Sequence, residues 1–152
     1  MSIGLGCDEA AFELKEVVKA HLQALGQEVT DYGVYNTDPV LYPDIAATVA
    51  KAVAAGTHAR AILICGTGIG MSITANKVPG VRAAQAHDTY SAERARKSND
   101  AHILCMGARV IGPELAKSIV SAWLDSEFQG GGSTAKVERI KAYEREFMGT
   151  GG

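Results

Sequence analysis

Over roughly its first hundred residues the chain repeats one unit: a short apolar run, a break at Gly or Asp, then a longer stretch with helical spacing. This alternation constrains the fold more than any other feature. Ile3 to Cys7 reads as a strand, and Phe12, Leu14, Val17, Val18, His21, Leu22 and Leu25 follow at mixed three and four spacing up to Gly26, a C-cap. Glu28 to Tyr32 is a second short strand. Tyr42-Pro43-Asp44 opens a helix through Ile45, Val49 and Val53 that stops at Gly56. Ala61 to Cys65 is apolar without alternation, the pattern of a strand buried on both faces. It breaks into Gly66-Thr67-Gly68-Ile69-Gly70, followed by helix-compatible residues to Lys77 and a Pro79-Gly80 turn. Val81 to Ala86 is the fourth strand, Tyr90 to Lys97 a basic helix, Ile103 to Met106 the fifth strand, and Pro113 starts a helix to Leu124.

Strands alternating with helices imply a parallel sheet with right-handed crossovers and helices on both faces. The expected fold class is therefore α/β: a three-layer α/β/α sandwich, Rossmann-like, with a five-stranded parallel sheet and an extra C-terminal helix. That helix, Thr134 to Phe147, follows the flexible break Gly130-Gly131-Gly132-Ser133. Its stripe of Val137, Ile140, Tyr143 and Phe147 either packs on a partner subunit or closes the chain's own core. At 152 residues, the whole of 1–152 reads as one domain.

The charge balance of −2, with no basic concentration, argues against nucleic acid and anionic membranes as partners. The apolar runs fall well short of the roughly 20 residues a membrane span requires. Cys7, Cys65 and Cys105 are odd in number, widely spaced and free of any C-x-x-C pair. Together with an N-terminus lacking a basic, cleavable leader pattern, they suggest reduced thiols in a cytoplasmic protein.

In open α/β sheets ligands sit beyond the carboxyl ends of the strands. Three segments fall there: Cys7-Asp8-Glu9, Cys65 to Gly70, and His87-Asp88. A thiol at a strand end, followed by three glycines and a helix start, sits beside free amides that favour negative charge. Cys65 is thus a candidate thiolate base or nucleophile; the alternative is a small buried residue before a tight turn. Gly66-x-Gly68-x-Gly70 is not a dinucleotide fingerprint, no G-x-x-x-x-G-K-[ST] occurs, and a phosphatase-type loop would need an Arg where Met71 stands. Asp8 is either a base or hydroxyl acceptor, or an N-cap. His21 and His58 read as surface residues, His102 as lacking a partner, and His87 as the one histidine at a ligand-facing end. Arg94, Arg96 and Lys97 read as a solvated helix face. Neither a Ser-His-Asp order nor metal-ligand spacing is present.

Gly6-Cys7-Asp8, Leu41-Tyr42-Pro43-Asp44, Ile64-Cys65-Gly66-Thr67-Gly68-Ile69-Gly70-Met71-Ser72, Ala75-Asn76-Lys77, Asn99-Asp100 and Gly107-Ala108-Arg109-Val110 occur in this order. With them the chain resembles, over nearly its whole length, the type B ribose-5-phosphate isomerases and their galactose-6-phosphate isomerase relatives. The resemblance implies a cofactor-free, metal-free homodimer with shared active sites that interconverts aldose and ketose phosphates through a cis-enediolate. It makes Cys65 the proton-transfer base. Thr67 and the amides of Gly66, Gly68 and Gly70 stabilise the enediolate, Asp8, Tyr42 and Asn99 hold sugar hydroxyls, and Arg109 of the other subunit contacts phosphate.

Four positions depart from the family's pattern. Glu9 stands where a phosphate-contacting His is usual, and Ser98 replaces the ring-opening His. Gly132 and Lys136 replace two phosphate-gripping Arg residues. An anionic Glu9 would repel a phosphate dianion unless a cation such as Lys136 neutralises it. A four-carbon sugar phosphorylated at O4 cannot close a furanose ring and has no use for a ring-opening base. A tetrulose 4-phosphate and erythrose 4-phosphate pair is accordingly the first choice of substrate, ahead of an unphosphorylated or differently substituted small sugar. Two other classes compete: an altered paralogue serving as a sugar-phosphate-binding or partner subunit, and a cysteine hydrolase with His87 as its base.

Overall fold

A computed structural model describes residues 2–149; Met1 and residues 150–152, the ends of the expected 1–152 domain, lie outside the described residues. Five strands, β1 (Ile3–Cys7), β2 (Val29–Asp31), β3 (Ala61–Cys65), β4 (Ala83–Gln85) and β5 (Ile103–Gly107), form one parallel sheet in the order β2-β1-β3-β5-β4. Six helices connect or follow them: α1 (Phe12–Ala24), α2 (Tyr42–Ala54), α3 (Ile69–Ala75), α4 (Thr89–Lys97), α5 (Pro113–Leu124) and α6 (Gly132–Met148). The expected fold class holds, with α3 ending before Lys77 and α6 starting two residues ahead of Thr134.

The period of two along each central strand divides the core. Ile62, Ile64, Leu104 and Met106 face one side, where Leu14, Val18 and Leu22 of α1, Ala92 and Ala95 of α4, and Ile119, Val120 and Trp123 of α5 cover them. Ala61, Leu63, Cys65, Ile103 and Cys105 face the other, beneath Ala46, Val49 and Val53 of α2 and Met71 and Ala75 of α3. Three helices thus cover one face and two the other. The thinner side leaves Leu41, Ile69 and Ile73 at 74, 51 and 58% exposure.

On β1 the residues facing α2 are glycines. A Cβ at Gly6 would lie 2.8 Å from Ile45 Cγ2, so a larger residue would push α2 away. Gly4 makes room for His58, whose ring would lie 3.1 Å from a Cβ there. His58 is therefore not a surface residue. It is buried, with Nε2 2.7 Å from the Tyr32 hydroxyl and Nδ1 2.9 Å from Ser2 Oγ.

Two further expectations are corrected. Arg96 leaves the solvated face of α4 and is buried against Trp123, and His102 has a partner, its Nδ1 accepting the Arg82 N–H at 3.1 Å. In the α6 stripe only Val137 is buried, at 3% exposure, whereas Ile140, Tyr143 and Phe147 are 46, 48 and 74% exposed. Within this one chain the stripe closes no core.

Candidate active site

From β1 the chain leaves toward the three-helix face, and from β3 toward the two-helix face. The crevice between their carboxyl ends is the switch point at which open sheets bind ligands. The strand tips are tied together there by the Asp8 N–H donating to the Ile64 carbonyl at 3.2 Å. The cleft has a volume of about 370 Å³ and is lined by Asp8, Tyr42, Cys65, Gly66, Thr67, Gly70 and Arg109, with Ile69 and Ile73 on one wall.

The Cys65 loop is folded by close backbone approach. Gly68 has φ of +79°, and a Cβ there would stand 2.9 Å from the Met106 carbonyl carbon of β5. At Gly107 a Cβ would stand 2.6 Å from Thr67 Cα, and at Gly70 it would overlap the Tyr42 ring. These glycines let the loop lie directly on β5 and let Tyr42 cover the first turn of α3. The pinned geometry brings the Gly68 N–H to 3.1 Å from Cys65 Sγ. The Ile69 N–H donates to Thr67 Oγ1 at 3.2 Å. The Gly68 amide, expected to face a substrate oxygen, is thus directed at the sulfur.

Beyond β5 the Ala108 N–H donates to the Cys65 carbonyl at 2.8 Å and the Arg109 N–H to the Gly66 carbonyl at 3.0 Å. These bonds carry the Arg109 side chain onto the chain's own loop. The expectation that Arg109 serves a neighbour's site is corrected: it lines the cleft of its own chain.

Asp8 meets its capping reading and also stands in the cleft. Its Oδ1 caps the 3-10 turn Glu9–Ala11, accepting the Ala10 N–H at 3.1 Å, while the residue also lines the cleft. Burial, and then the charge of Glu9, raise its carboxyl above the ordinary Asp range against the opposing pull of the Ala11 and Ala10 amides and of Arg109. The other two thiols differ from Cys65 in lying outside the cleft. Burial pushes Cys7 up to about 12 and Cys105 further still.

Five predicted site residues stand apart from the cleft. Glu9 turns to the loop before α2, where Oε2 accepts the Val40 N–H at 3.3 Å. His87 lies behind the site, its Nε2 accepting the Gly107 N–H at 2.9 Å, so it supports the loop. Ser98, Asn99 and Lys136 are at or near the amino-terminal end of the sheet. Five-residue strands put that end on the order of 15 Å from the Cys65 loop. Ser98 Oγ accepts from the Arg94 guanidinium, and the Asn99 carbonyl from Arg82 Nε at 3.0 Å. Gln85 was not anticipated: its side-chain amide donates to the Thr67 carbonyl at 2.8 Å. Its place at the tip of the fourth strand was the available signal. Among the described residues no group of three or more His, Cys, Asp and Glu is placed to hold a metal ion, and no helix is long and apolar enough to cross a membrane.

A thiol, a carboxyl, a phenol and a guanidinium converging on a cleft at the switch point of a parallel sheet define an enzyme acting on a small polar molecule. The ribose/galactose isomerase family model matches residues 3–140, which include every cleft residue together with Asn99 and Lys136. The chain belongs to that family, the one that holds the type B ribose-5-phosphate isomerases. It is 58% identical to a D-erythrulose-4-phosphate isomerase of Pectobacterium atrosepticum, over 96% of this chain and 97% of that one. It is 56% identical to a ribose-5-P isomerase B of Listeria innocua, over 96% and 99% respectively. Its fold matches that of ribose-5-phosphate isomerase B from Clostridium thermocellum with a TM-score of 0.94 and 46% identity, over 97% of this chain and 99% of the other.

Proposed function

We propose that the protein interconverts an aldose phosphate and a ketose phosphate of four carbons, with Cys65 as the base. The observation that carries this reading is the placement of Cys65 Sγ in the cleft, 3.1 Å from the Gly68 amide and flanked by Asp8, Thr67 and Arg109. Negative charge on the sulfur meets an N–H donor there. The thiolate takes the proton from the carbon next to the carbonyl, leaving an enediolate, and returns it to the neighbouring carbon. The Thr67 hydroxyl and the amides of Gly66 and Gly70 face the charge that develops on the two oxygens. Asp8 and Tyr42 hold hydroxyls, and Arg109 meets the phosphate.

Asn99 and Lys136 cannot serve the cleft of their own chain from the other end of the sheet. They complete the cleft of a partner in a twofold dimer. Light scattering that found only 15.9 kDa particles in active enzyme would exclude this arrangement.

The four-carbon substrate is supported by Ser98, which replaces the ring-opening histidine implied by the resemblance, and by the 58% identical relative named for erythrulose 4-phosphate. The similarly close Listeria relative, named for ribose 5-phosphate, supports the second reading. A panel of aldose and ketose phosphates of four to six carbons decides between them, with the highest kcat/KM expected on the tetrose pair. Turnover of none would favour the binding or partner subunit. Cys65→Ala should abolish exchange of the substrate's C2 proton with deuterated solvent while leaving binding within about tenfold, since it removes the base and little contact area. Exchange at the wild-type rate would falsify the role of Cys65.

A further inference from the structure

At the amino-terminal end of the sheet two arginines close on one aspartate. Asp100, which follows Asn99, is the sole non-glycine among the described residues with a positive φ, at 48°. Asp tolerates this left-handed conformation better than most residues. Arg82, just before β4, donates from Nε to the Asn99 carbonyl at 3.0 Å. Its Nη2 donates to the Asp100 carbonyl at 2.9 Å and to Asp100 Oδ2 at 3.2 Å. From the opposite side the buried Arg96 donates Nη1 to Asp100 Oδ1 at 3.1 Å and to the Ala101 carbonyl at 2.8 Å. The Arg82 main chain is tied to the same turn through its N–H on His102 Nδ1.

The turn between α4 and β5 thus takes five side-chain hydrogen bonds from two arginines. A partly exposed ion pair is a weak source of net stability, so the arrangement is better explained by the geometry it imposes. The left-handed residue sets the path of the backbone at Asn99, and two planar forks hold that residue from both sides. A lysine, offering one compact ammonium, could not span the Asn99 and Asp100 carbonyls together. None of these groups reaches the cleft of its own chain.

We propose that Arg82 and Arg96 are positioning residues that act through Asp100 to aim Asn99 into the partner subunit's cleft. This rests on the reading above in which Asn99 works across the dimer. A hydroxyl-holding side chain displaced by about 1 Å can lower turnover by up to about a hundredfold, so a residue on an exposed turn has to be held if it is to serve a neighbour.

Mixed dimers test the idea. Arg82→Met alone should lose about tenfold to a hundredfold in kcat. Subunits carrying Cys65→Ala and subunits carrying Arg82→Met, co-expressed under two different tags and purified through both, should then recover about half the wild-type rate per dimer. The cleft that keeps Cys65 draws its Asn99 from the subunit whose clamp is intact. A clamp that acts only within its own subunit, or that merely stabilises it, leaves the mixed dimer at about half the Arg82→Met homodimer's rate per dimer and overturns the proposal. So does a wild-type rate for the Arg82→Met homodimer. Should that variant fail to assemble, Arg82→Lys carries the same comparison.

Pairing Cys65→Ala with Asn99→Ala separates the two levels of the inference. If this pair recovers and the Arg82 pair does not, only the clamp is refuted. If the Asn99 pair also fails, the trans reading falls and the clamp falls with it.

Discussion

At the carboxyl end of the sheet the cleft is held by backbone: the Cys65 loop lies on β5 through Gly68 and Gly107, and two main-chain bonds bring Arg109 over it. At the amino-terminal end the turn after α4 is held by side chains, two guanidinium forks around Asp100. The departures from the family's usual residues divide accordingly. Ser98, Gly132 and Lys136 lie at the amino end or on α6, and none falls within the Cys65 loop. Glu9, the one departure beside the cleft, directs its carboxylate to Val40. Backbone contacts at van der Waals distance leave no freedom for variation, whereas residues carried on a turn can change one at a time. On the function proposed above, proton transfer belongs to the first end and choice of substrate to the second.

The contrast is broken most directly at Gly68. Its φ of +79° and the 2.9 Å approach to the Met106 backbone give Gly68→Ala no relaxed conformation. A left-handed non-glycine residue costs about 1–2 kcal/mol before any clash. We expect a clear fall in melting temperature and a loss of at least about a hundredfold in kcat/KM, because Cys65 Sγ and its amide donor move together. A variant that melts and turns over like wild type would show that the loop is not fixed by its contact with β5.

The next largest effect belongs to the other end. On the proposed reading, Ser98→His supplies the acid-base group that ring opening of a cyclic substrate uses, a contribution typically on the order of 10² to 10⁴. The ratio of kcat/KM for a tetrose phosphate over ribose 5-phosphate should narrow, through a rise on the cyclic substrate. If ribose 5-phosphate is already as good as the best tetrose phosphate, substrate choice is not made at this turn.

A smaller effect separates function from stability at the cleft. The Asp8 carboxyl is raised by burial and by Glu9, so the folded chain holds a proton there more readily than the unfolded chain. Stability then decreases as pH rises from the ordinary Asp range through the raised value. Asp8→Asn keeps an acceptor for the cap and removes the charge. It should melt higher than wild type at neutral pH, lose that advantage as the pH falls toward about 4, and be less active throughout. Melting curves at several pH values that run parallel would contradict this assignment.

The β-α alternation was legible in the sequence because Ala61–Cys65 is a continuous apolar run and stretches such as Phe12–Leu25 and Ile45–Val53 carry helical spacing. The cleft was legible in outline because Asp8, Cys65 and the glycines sit at strand ends. What escaped the reading depends on contacts between distant parts of the chain. His58 is buried because Gly4, far away in sequence, leaves a space beside β1. By spacing alone Arg96 falls on a basic surface face, whereas Trp123 of α5 and Asp100 enclose it. Arg109 came under its own chain's cleft through bonds from Ala108 and Arg109 to β3 and its loop. Periodicity carries no information about such pairings.

The unequal covering of the sheet has one further consequence. The two-helix side, with Leu41, Ile69 and Ile73 turned to water, is the less protected half of the core. On the dimeric reading a second subunit supplies what that side lacks, and association is then linked to folding by mass action. For such a dimer the amount of protein in solution is a variable of its stability, alongside temperature and pH, and dilution acts as a mild denaturant.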